Sequence, residues 1–278
     1  MRSLTRLFLF ATVASLVGLS TVHVAPAAAV PTWAPAATAP IHPGVQTFTS
    51  GAQCTANFVF YSDATVYIGQ AAHCASTEAN TSTNGCTTNS LPLGTPVQVT
   101  GASQPGTLVY SSWITMQALG ESDPNICAFN DFALVRLNGS DGTRVNPSVP
   151  YWGGPTGVNS SGAALLSRVY SYGNSALRLG LTPLAPKTGV SLGDIGNGWE
   201  HEVLTVTPGI PGDSGSAFLD AGGAALGVLS TFAVAPIPLS NGVGDIAREL
   251  NYMNSHTTLA ASLALGTEAF RPDRLLLL

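Results

Sequence analysis

The chain of 278 residues is sparing with charge: only 9% of its residues are charged, and 10 Lys and Arg side chains face 15 Asp and Glu. The formal net charge of −5 makes a phosphate backbone or an anionic membrane surface an unfavourable partner, because like charges repel. We therefore expect neither a nucleic acid nor a membrane as partner.

The first residues have the pattern of an export signal. Arg2 and Arg6 form a basic start, Leu7 to Leu19 is mostly apolar, and small residues near Ala29 offer a cleavage site. The apolar run is too short to span a bilayer as a helix. We predict a signal peptide over residues 1–29 and a secreted, extracellular protein.

The four cysteines indicate two disulfide bonds. Their number is even, no CxxC pair suggests a metal site, and an exported chain meets an oxidising compartment. Of the three possible connectivities, sequence proximity favours Cys54–Cys74 and Cys86–Cys127. Each bond would then stabilise the fold by roughly 3–4 kcal/mol in the chain-entropy model.

Short apolar and polar alternations follow a leader that is rich in proline and alanine. Residues 30–44 predict an extended, poorly ordered leader. Turn formers separate the later alternations, which is typical of a barrel or sandwich of short strands. The predicted strands are Val45–Thr49, Thr55–Tyr61, Thr65–Ile68, Pro96–Thr100, Gly106–Tyr110, Phe132–Leu137, Ala164–Tyr170, Glu202–Thr207, Ser216–Leu219 and Ala225–Phe232.

Two halves and a C-terminal helix complete the predicted organisation. The stretch 138–162 is rich in Asn, Gly and Pro and is the predicted connection between an N-terminal half, 45–137, and a C-terminal half, 163–244. Asp245 can cap the run "IARELNYMNSH", so we predict a helix and tail over residues 245–278.

The run "GIPGDSGSAF" is either a surface turn or the surroundings of a nucleophile, Ser214. A serine hydroxyl attacks only when a base removes its proton, and that base needs a carboxylate to hold its tautomer. His73 ends an apolar run in "IGQAAHC", and Asp131 opens the apolar run "NDFALVRL". Each residue alone is typical of a packed or surface side chain, whereas the three together indicate a catalytic triad.

These motifs, in the order His–Asp–Ser and with a cysteine beside the histidine, resemble the trypsin/chymotrypsin-like serine protease family, in its bacterial extracellular branch. The resemblance runs from about Val45 to His256. It implies an all-β fold of two packed antiparallel β-barrels with a C-terminal helix. It also implies that Ser214 is the nucleophile, that His73 is the base and that Asp131 orients His73.

The resemblance assigns supporting roles to the residues around the nucleophile. The N–H groups of Gly212 and Ser214 would bind the oxyanion, and the buried carboxylate of Asp213 would pair with a cation that holds the turn. No Ile-Val-Gly-Gly-like sequence precedes "VQTFTSGAQC", so an internal arginine would supply that cation. Arg168 and Arg178 are both candidates.

The resemblance also locates a specificity pocket without an acid at its floor. Pro208, six residues before Ser214, falls at that floor, which argues against a preference for Lys or Arg. The resemblance implies that Ser230 would also hydrogen-bond Asp131, and Phe232 replaces a family glycine and would narrow the pocket. We expect a neutral, small apolar preference at the cleaved residue. The residues assigned to substrate binding are Pro208, Gly209, Ser230, Thr231, Phe232 and Gly242.

The sequence leaves two other readings open. One is an esterase that uses Ser214, Asp245 and His256 in that order, although "GDSGS" lacks the second glycine of G-x-S-x-G. The other is a catalytically silent, secreted barrel that binds proteins. Scattered histidines and the lack of HExxH predict no metal and no cofactor. We expect a monomeric serine endopeptidase that acts on polypeptides.

Overall fold

A computed structural model describes residues 30–78, 84–232 and 239–274, except for the side chain of Phe232. The predicted export signal and the four terminal leucines lie outside the described residues. The strands are β1 Gln46–Thr49, β2 Ala52–Thr55, β3 Val59–Ser62, β4 Thr65–Gln70, β5 Pro96–Val99, β6 Gly106–Ser111, β7 Ala133–Arg136, β8 Arg168–Tyr172, β9 Pro186–Ile195, β10 Glu200–Thr205, β11 Ala217–Leu219, β12 Ala225–Phe232, β13 Asn241–Asp245 and β14 Ser262–Leu263. The helices are α1 Ser112–Leu119, α2 Pro124–Phe129, α3 Gly139–Gly142 and α4 Ile246–His256.

The strands form one sheet in each half of the chain. The first sheet has eight strands in the order β14-β3-β4-β7-β6-β5-β1-β2, and the second is a closed barrel in the order β10-β13-β12-β11-β8-β9. The strand β14 comes from the C-terminal tail and pairs with β3, so the tail returns to the first sheet. The predicted all-β fold with a C-terminal helix is confirmed.

Apolar side chains join the two halves. One buried cluster contains Phe132, which directly precedes β7, Leu219 of the barrel, and Ile246 and Met253 of α4. Each of these four residues is 0% exposed. Burying a side chain of this size is worth about 1.5–3 kcal/mol. This shared core packs the two sheets together.

The leader is packed rather than poorly ordered. The N–H of Ala34 donates to the carbonyl of Val145 at 2.9 Å, Trp33 meets the ring of Tyr61 edge-on, and Ile41 is fully buried. Composition predicted poor order because prolines and alanines dominate the segment. The apolar residues among them find partners that lie in the first sheet and in the connection between the halves.

A side-chain cap at Asp245 explains where α4 begins. The Asp245 side chain accepts a hydrogen bond from the N–H of Arg248 at 2.8 Å, which satisfies one of the free donors in the first turn. The helix runs from Ile246 to His256, as predicted. Among the described residues, no helix has the length and apolar character needed to cross a membrane.

Both predicted disulfides are present. Cys54 is bonded to Cys74, which ties β2 to the turn after β4, and Cys86 is bonded to Cys127 in α2. The described cysteines include no free thiol.

Candidate active site

A cleft of about 460 Å³ lies between the first sheet and the barrel. His73 and Asp131 line it from the first half of the chain, and Ser214 lines it from the second. The structure thus brings together three residues that are 58 and 83 positions apart in the sequence.

The histidine is held from both sides. His73 lies in a single 3₁₀ turn, Ala72–Ala75, directly after β4, and the neighbouring Cys74 is bonded to Cys54. Its Nδ1 lies 2.6 Å from Oδ2 of Asp131, and its backbone N–H donates to Oδ1 of the same carboxylate at 2.8 Å. These two bonds orient the imidazole, so that Nε2 is left for another partner.

The Asp131 carboxylate also accepts a hydrogen bond from Ser230. The Ser230 hydroxyl donates to Oδ2 of Asp131 at 2.5 Å, as the sequence predicted. Burial lowers the pKa of His73, but the adjacent Asp131 carboxylate outweighs burial and raises that pKa above its ordinary value. The arrangement therefore favours a charged imidazolium, the form that a general base reaches after it accepts a proton.

Ser214 lies in a tight turn, residues 208–215, which we call the nucleophile turn. Gly212 has φ +94° and Gly215 has φ +85°, a left-handed conformation that glycine adopts without strain. The N–H of Asp213 donates to the carbonyl of Ile210 at 2.8 Å. The described part of the chain offers the Ser214 hydroxyl no hydrogen bond; catalytic hydrogen bonds often tighten only when substrate binds.

The N–H groups of Gly212 and Ser214 donate to no other group within the described ranges. The carbonyl of Gly212 accepts hydrogen bonds from the Gln53 amide at 2.9 Å and from the Thr55 hydroxyl at 2.7 Å. Both donors belong to β2, so the first sheet holds one side of the nucleophile turn. Two N–H groups at the cleft remain available to an anionic oxygen.

The carboxylate of Asp213 is fully buried and meets two cations. Its Oδ2 lies 2.5 Å from Nη2 of Arg178 and 3.0 Å from Nζ of Lys187. Burial opposes ionisation of Asp213, but the two cations outweigh it and lower the pKa of this carboxyl. Arg178 is thus the arginine that pairs with Asp213, whereas Arg168 is exposed on β8.

The predicted pocket residues occupy different places. Gly209, Ser230 and Thr231 line the cleft. Pro208 is not among the lining residues, and its carbonyl accepts hydrogen bonds from Arg178 at 3.4 Å and Lys187 at 3.3 Å. The predicted role of Phe232 concerns a side chain outside the described part of the structure.

Gly242 lies behind the cleft rather than in its lining. A Cβ at this position would collide with Oε2 of Glu200 and with the Thr231 hydroxyl. Burial and the neighbouring acids Glu202 and Asp131 raise the pKa of Glu200 to about 7. The acidic side chain of Glu200 therefore lies next to Gly242, outside the residues that line the cleft.

Asn241 bridges two walls of the cleft. Its Oδ1 accepts the N–H of Gly209 at 3.0 Å, and its Nδ2 donates to the carbonyl of Thr231 at 3.3 Å. A Cβ added to Gly209 would lie 2.9 Å from both Asn241 Nδ2 and Leu229 Cδ2. These two side chains therefore pack directly against Gly209 in the wall of the cleft.

Motif reasoning missed several residues of the site because their sequence neighbourhoods carry no motif. Gln53, Trp113, Leu229 and Asn241 line the cleft, and Lys187 contacts Asp213 in the nucleophile turn. One signal was available: Lys187 is the only lysine of a chain with few charges, and such a residue can be retained for a buried ion pair.

The residues of the esterase alternative do not meet in the cleft, and a compact group of two cysteines and a histidine offers no free thiolate to a metal. Cys54, His73 and Cys74 lie within 4.8 Å of one another, but both sulfurs belong to a disulfide and are not free thiolates. Asp245 caps α4 and faces His201, and His256 bonds the Tyr252 carbonyl. Neither lines the cleft with Ser214.

Comparison with known proteins identifies the fold. The sequence matches no protein-family model and no curated protein. Among solved structures, Thermobifida fusca protease A matches with a TM-score of 0.51 and 18% identity, over 81% of this chain and 99% of that one. A Glu endopeptidase solved with MPD matches with a TM-score of 0.50 and 15% identity, over 76% of this chain and 89% of that one. The chain therefore has the fold of the chymotrypsin-like serine proteases.

Proposed function

We propose that the protein is a secreted serine endopeptidase that cleaves polypeptides through Ser214, His73 and Asp131. The observation that carries the proposal is the hydrogen-bonded set His73–Asp131–Ser230 in the same cleft as Ser214. Its base is oriented by a carboxylate, and that carboxylate is itself held by a hydroxyl. This is the arrangement that activates a serine hydroxyl.

Catalysis would proceed in two halves. Ser214 Oγ bonds to the scissile carbonyl carbon while Nε2 of His73 takes the hydroxyl proton. The C–N bond then breaks, and His73 returns the proton to the leaving amine. Water attacks the acyl-enzyme with His73 again as base, which releases the carboxylic acid and restores the Ser214 hydroxyl. Asp131 stabilises the imidazolium in both halves.

The oxyanion would be bound by the N–H groups of Gly212 and Ser214, which donate to nothing else among the described residues. Backbone donors fixed in this way stabilise charge that develops only in the transition state. Removal of one such donor costs about 2.7–4 kcal/mol in well-studied enzymes. The buried Asp213 carboxylate supports this part of the mechanism because it holds the nucleophile turn.

The substrate would be an extended peptide with a small, neutral residue at the cleaved position. Ser230, Thr231 and Phe232 of β12 would pair with its backbone. Asn241 and Leu229 limit the depth available beside Gly209. Pro208 and Gly242 do not line the cleft. In the proposed pocket, Pro208 would lie beneath the floor and Gly242 behind one wall.

Secretion, the monomeric state and the domain limits belong to the proposal. The export-signal pattern over residues 1–29 and the two disulfides support an extracellular protein. The proposed units are the leader 30–44, an N-terminal half 45–137 with most of the first sheet, a connection 138–162, a C-terminal barrel 163–244 and a tail 245–278 that adds β14 to the first sheet.

Labelling with a fluorophosphonate tests the proposal. The secreted chain is expected to be modified at Ser214 and to hydrolyse peptides, and His73→Ala is expected to lose the label. Ser214→Ala and His73→Ala are each expected to lower kcat by about 10⁴–10⁶. A folded chain that neither labels nor cleaves would instead be the silent binding protein.

A further inference from the structure

The only lysine of the chain is fully buried. Lys187 is at the start of β9, and its side chain is 0% exposed. Its Nζ lies 3.0 Å from Oδ2 of Asp213. Burial of an ammonium is expensive, and lysine is almost never fully buried unless it is paired. Lys187 has such a partner in Asp213, but this carboxylate also pairs with Arg178.

The Asp213 carboxylate already has one cation, Arg178, that neutralises its charge. Arg178 contacts the same Oδ2 at 2.5 Å, and its side chain is 9% exposed. Two cations thus share one anion, and the described residues place no second acid in an ion pair with either cation. The cluster carries one excess positive charge around Asp213, the residue that directly precedes Ser214 in the chain.

Lys187 also contacts the start of the nucleophile turn. Its Nζ lies 3.3 Å from the carbonyl of Pro208 and 3.5 Å from the carbonyl of Thr207, while its ion pair reaches Asp213 near the other end. Gly173 leaves room for this cluster, because a Cβ there would collide with both Asp213 and Lys187. One ammonium therefore joins both ends of the turn.

We propose that Lys187 is a positioning residue of the nucleophile turn and that its excess positive charge strengthens the binding of the oxyanion at Gly212 and Ser214. This proposal rests on the proposed protease function. Interactions that act on charge present only in the transition state raise kcat more than they lower KM. The effect of Lys187 is therefore expected in kcat and in the binding of anionic adducts.

Lys187→Met removes the charge and keeps most of the volume. Asp213 remains paired one-to-one with Arg178, so this variant leaves no uncompensated carboxylate in the interior. We expect kcat to fall by about 10- to 100-fold with KM changed less than about threefold, and Tm to stay the same or rise. Arg168→Gln removes an exposed charge from the neighbouring strand and serves as the matched control.

A peptide trifluoromethyl ketone distinguishes an effect of the Lys187 charge on the oxyanion from a loss of folded structure. Ser214 adds to its carbonyl and forms a hemiketal whose oxygen is anionic. The Ki of this inhibitor is expected to rise in Lys187→Met by the same factor as kcat falls, while the Kd of a peptide product hardly changes. An unchanged Ki, or a Tm that falls together with kcat, would contradict the proposal.

The wild-type chain offers a second measurement if the variant does not fold. Burial lowers the pKa of Lys187 despite the opposing effect of Asp213, and Arg178 lowers it further. We expect kcat to decline on the alkaline side, below the ordinary lysine pKa of about 10.4, while circular dichroism still reports a folded chain. A flat kcat over this range would count against Lys187.

The two proposals fail in distinguishable ways. Absence of fluorophosphonate labelling in the wild-type chain contradicts the protease function itself. Normal labelling and turnover in both wild type and Lys187→Met contradict only the role of Lys187.

Discussion

The hydroxyl of Ser175 donates to the carbonyl of Pro211 at 2.5 Å. This carbonyl belongs to the same peptide unit as the N–H of Gly212, and the two groups of a trans peptide point in opposite directions. A carbonyl held toward Ser175 therefore directs the Gly212 N–H away from it. The N–H of Ser175 also donates to Oδ1 of Asp213 at 3.0 Å, so one residue links the buried carboxylate to this peptide.

Ser175→Ala is expected to let the Pro211–Gly212 peptide rotate and to weaken the binding of the oxyanion. The lost hydrogen bond is worth about 0.5–1.5 kcal/mol, and an N–H turned away costs more. We expect kcat to fall by about 10- to 100-fold with little change in KM, as measured by steady-state kinetics. Ser122→Ala at an exposed site is the control, and equal kcat values in both variants would refute this role.

Asp131→Asn tests the orientation of the base. The amide cannot supply two acceptors to His73 and no longer attracts a proton, so kcat is expected to fall by about 10⁴. The Asp131 carboxylate raises the pKa of His73, and its loss should move the acid limb of the pH profile to lower pH. A profile of kcat/KM against pH measures both effects. A limb that stays in place would contradict this origin of the pKa shift.

Asn241→Ala is expected to widen the accepted range of cleaved residues. The change removes the amide that bridges Gly209 and Thr231 and so deepens the pocket. Because an extra methylene in a pocket is worth about 1–3 kcal/mol, we expect Val or Leu at the cleaved position to gain about 10-fold or more relative to Ala. Cleavage profiling of a peptide library compares the variant with wild type. An unchanged profile would mean that Asn241 does not limit the pocket.

The raised pKa values of Glu200 and His201 predict that the fold loses stability as the pH rises. The pKa of Glu200 is raised to about 7, so the native chain binds a proton that the unfolded chain releases above about pH 4.5. Burial lowers the pKa of His201, but Asp245 and Asp194 outweigh it and raise that pKa, so its contribution is lost as the pH passes the folded value. The free energy of unfolding therefore falls between about pH 4.5 and 7 because of Glu200, and His201 continues this fall above its ordinary pKa of about 6.5.

Chemical denaturation at several pH values measures this slope. Glu200→Gln is expected to flatten its lower part because the amide does not titrate, whereas Glu268→Gln at an exposed site should leave the slope unchanged. Stability that rises over the same range in wild type would contradict the assignment.

Local patterns predicted the fold where alternation was clear. The strands β1, β6 and β12 agree closely with the predicted segments, and the cap at Asp245 located α4. The long strand β9 was missed because "PKTGVSLGDI" contains two glycines and no regular apolar alternation. Its strand state depends on pairing with β8 and β10, which a local pattern does not contain.

The sequence by itself determined the candidate triad, the cysteine pairs favoured by proximity and the all-β fold, because each follows from short motifs or from residues near one another in the chain. Only the tertiary structure decided that Arg178 rather than Arg168 meets Asp213, and that Lys187 joins it. It also decided that the Gln53 amide donates to the carbonyl of Gly212, which lies 159 positions away in the sequence. Such contacts depend on how two sheets pack against each other, and the packing is a property of the whole chain.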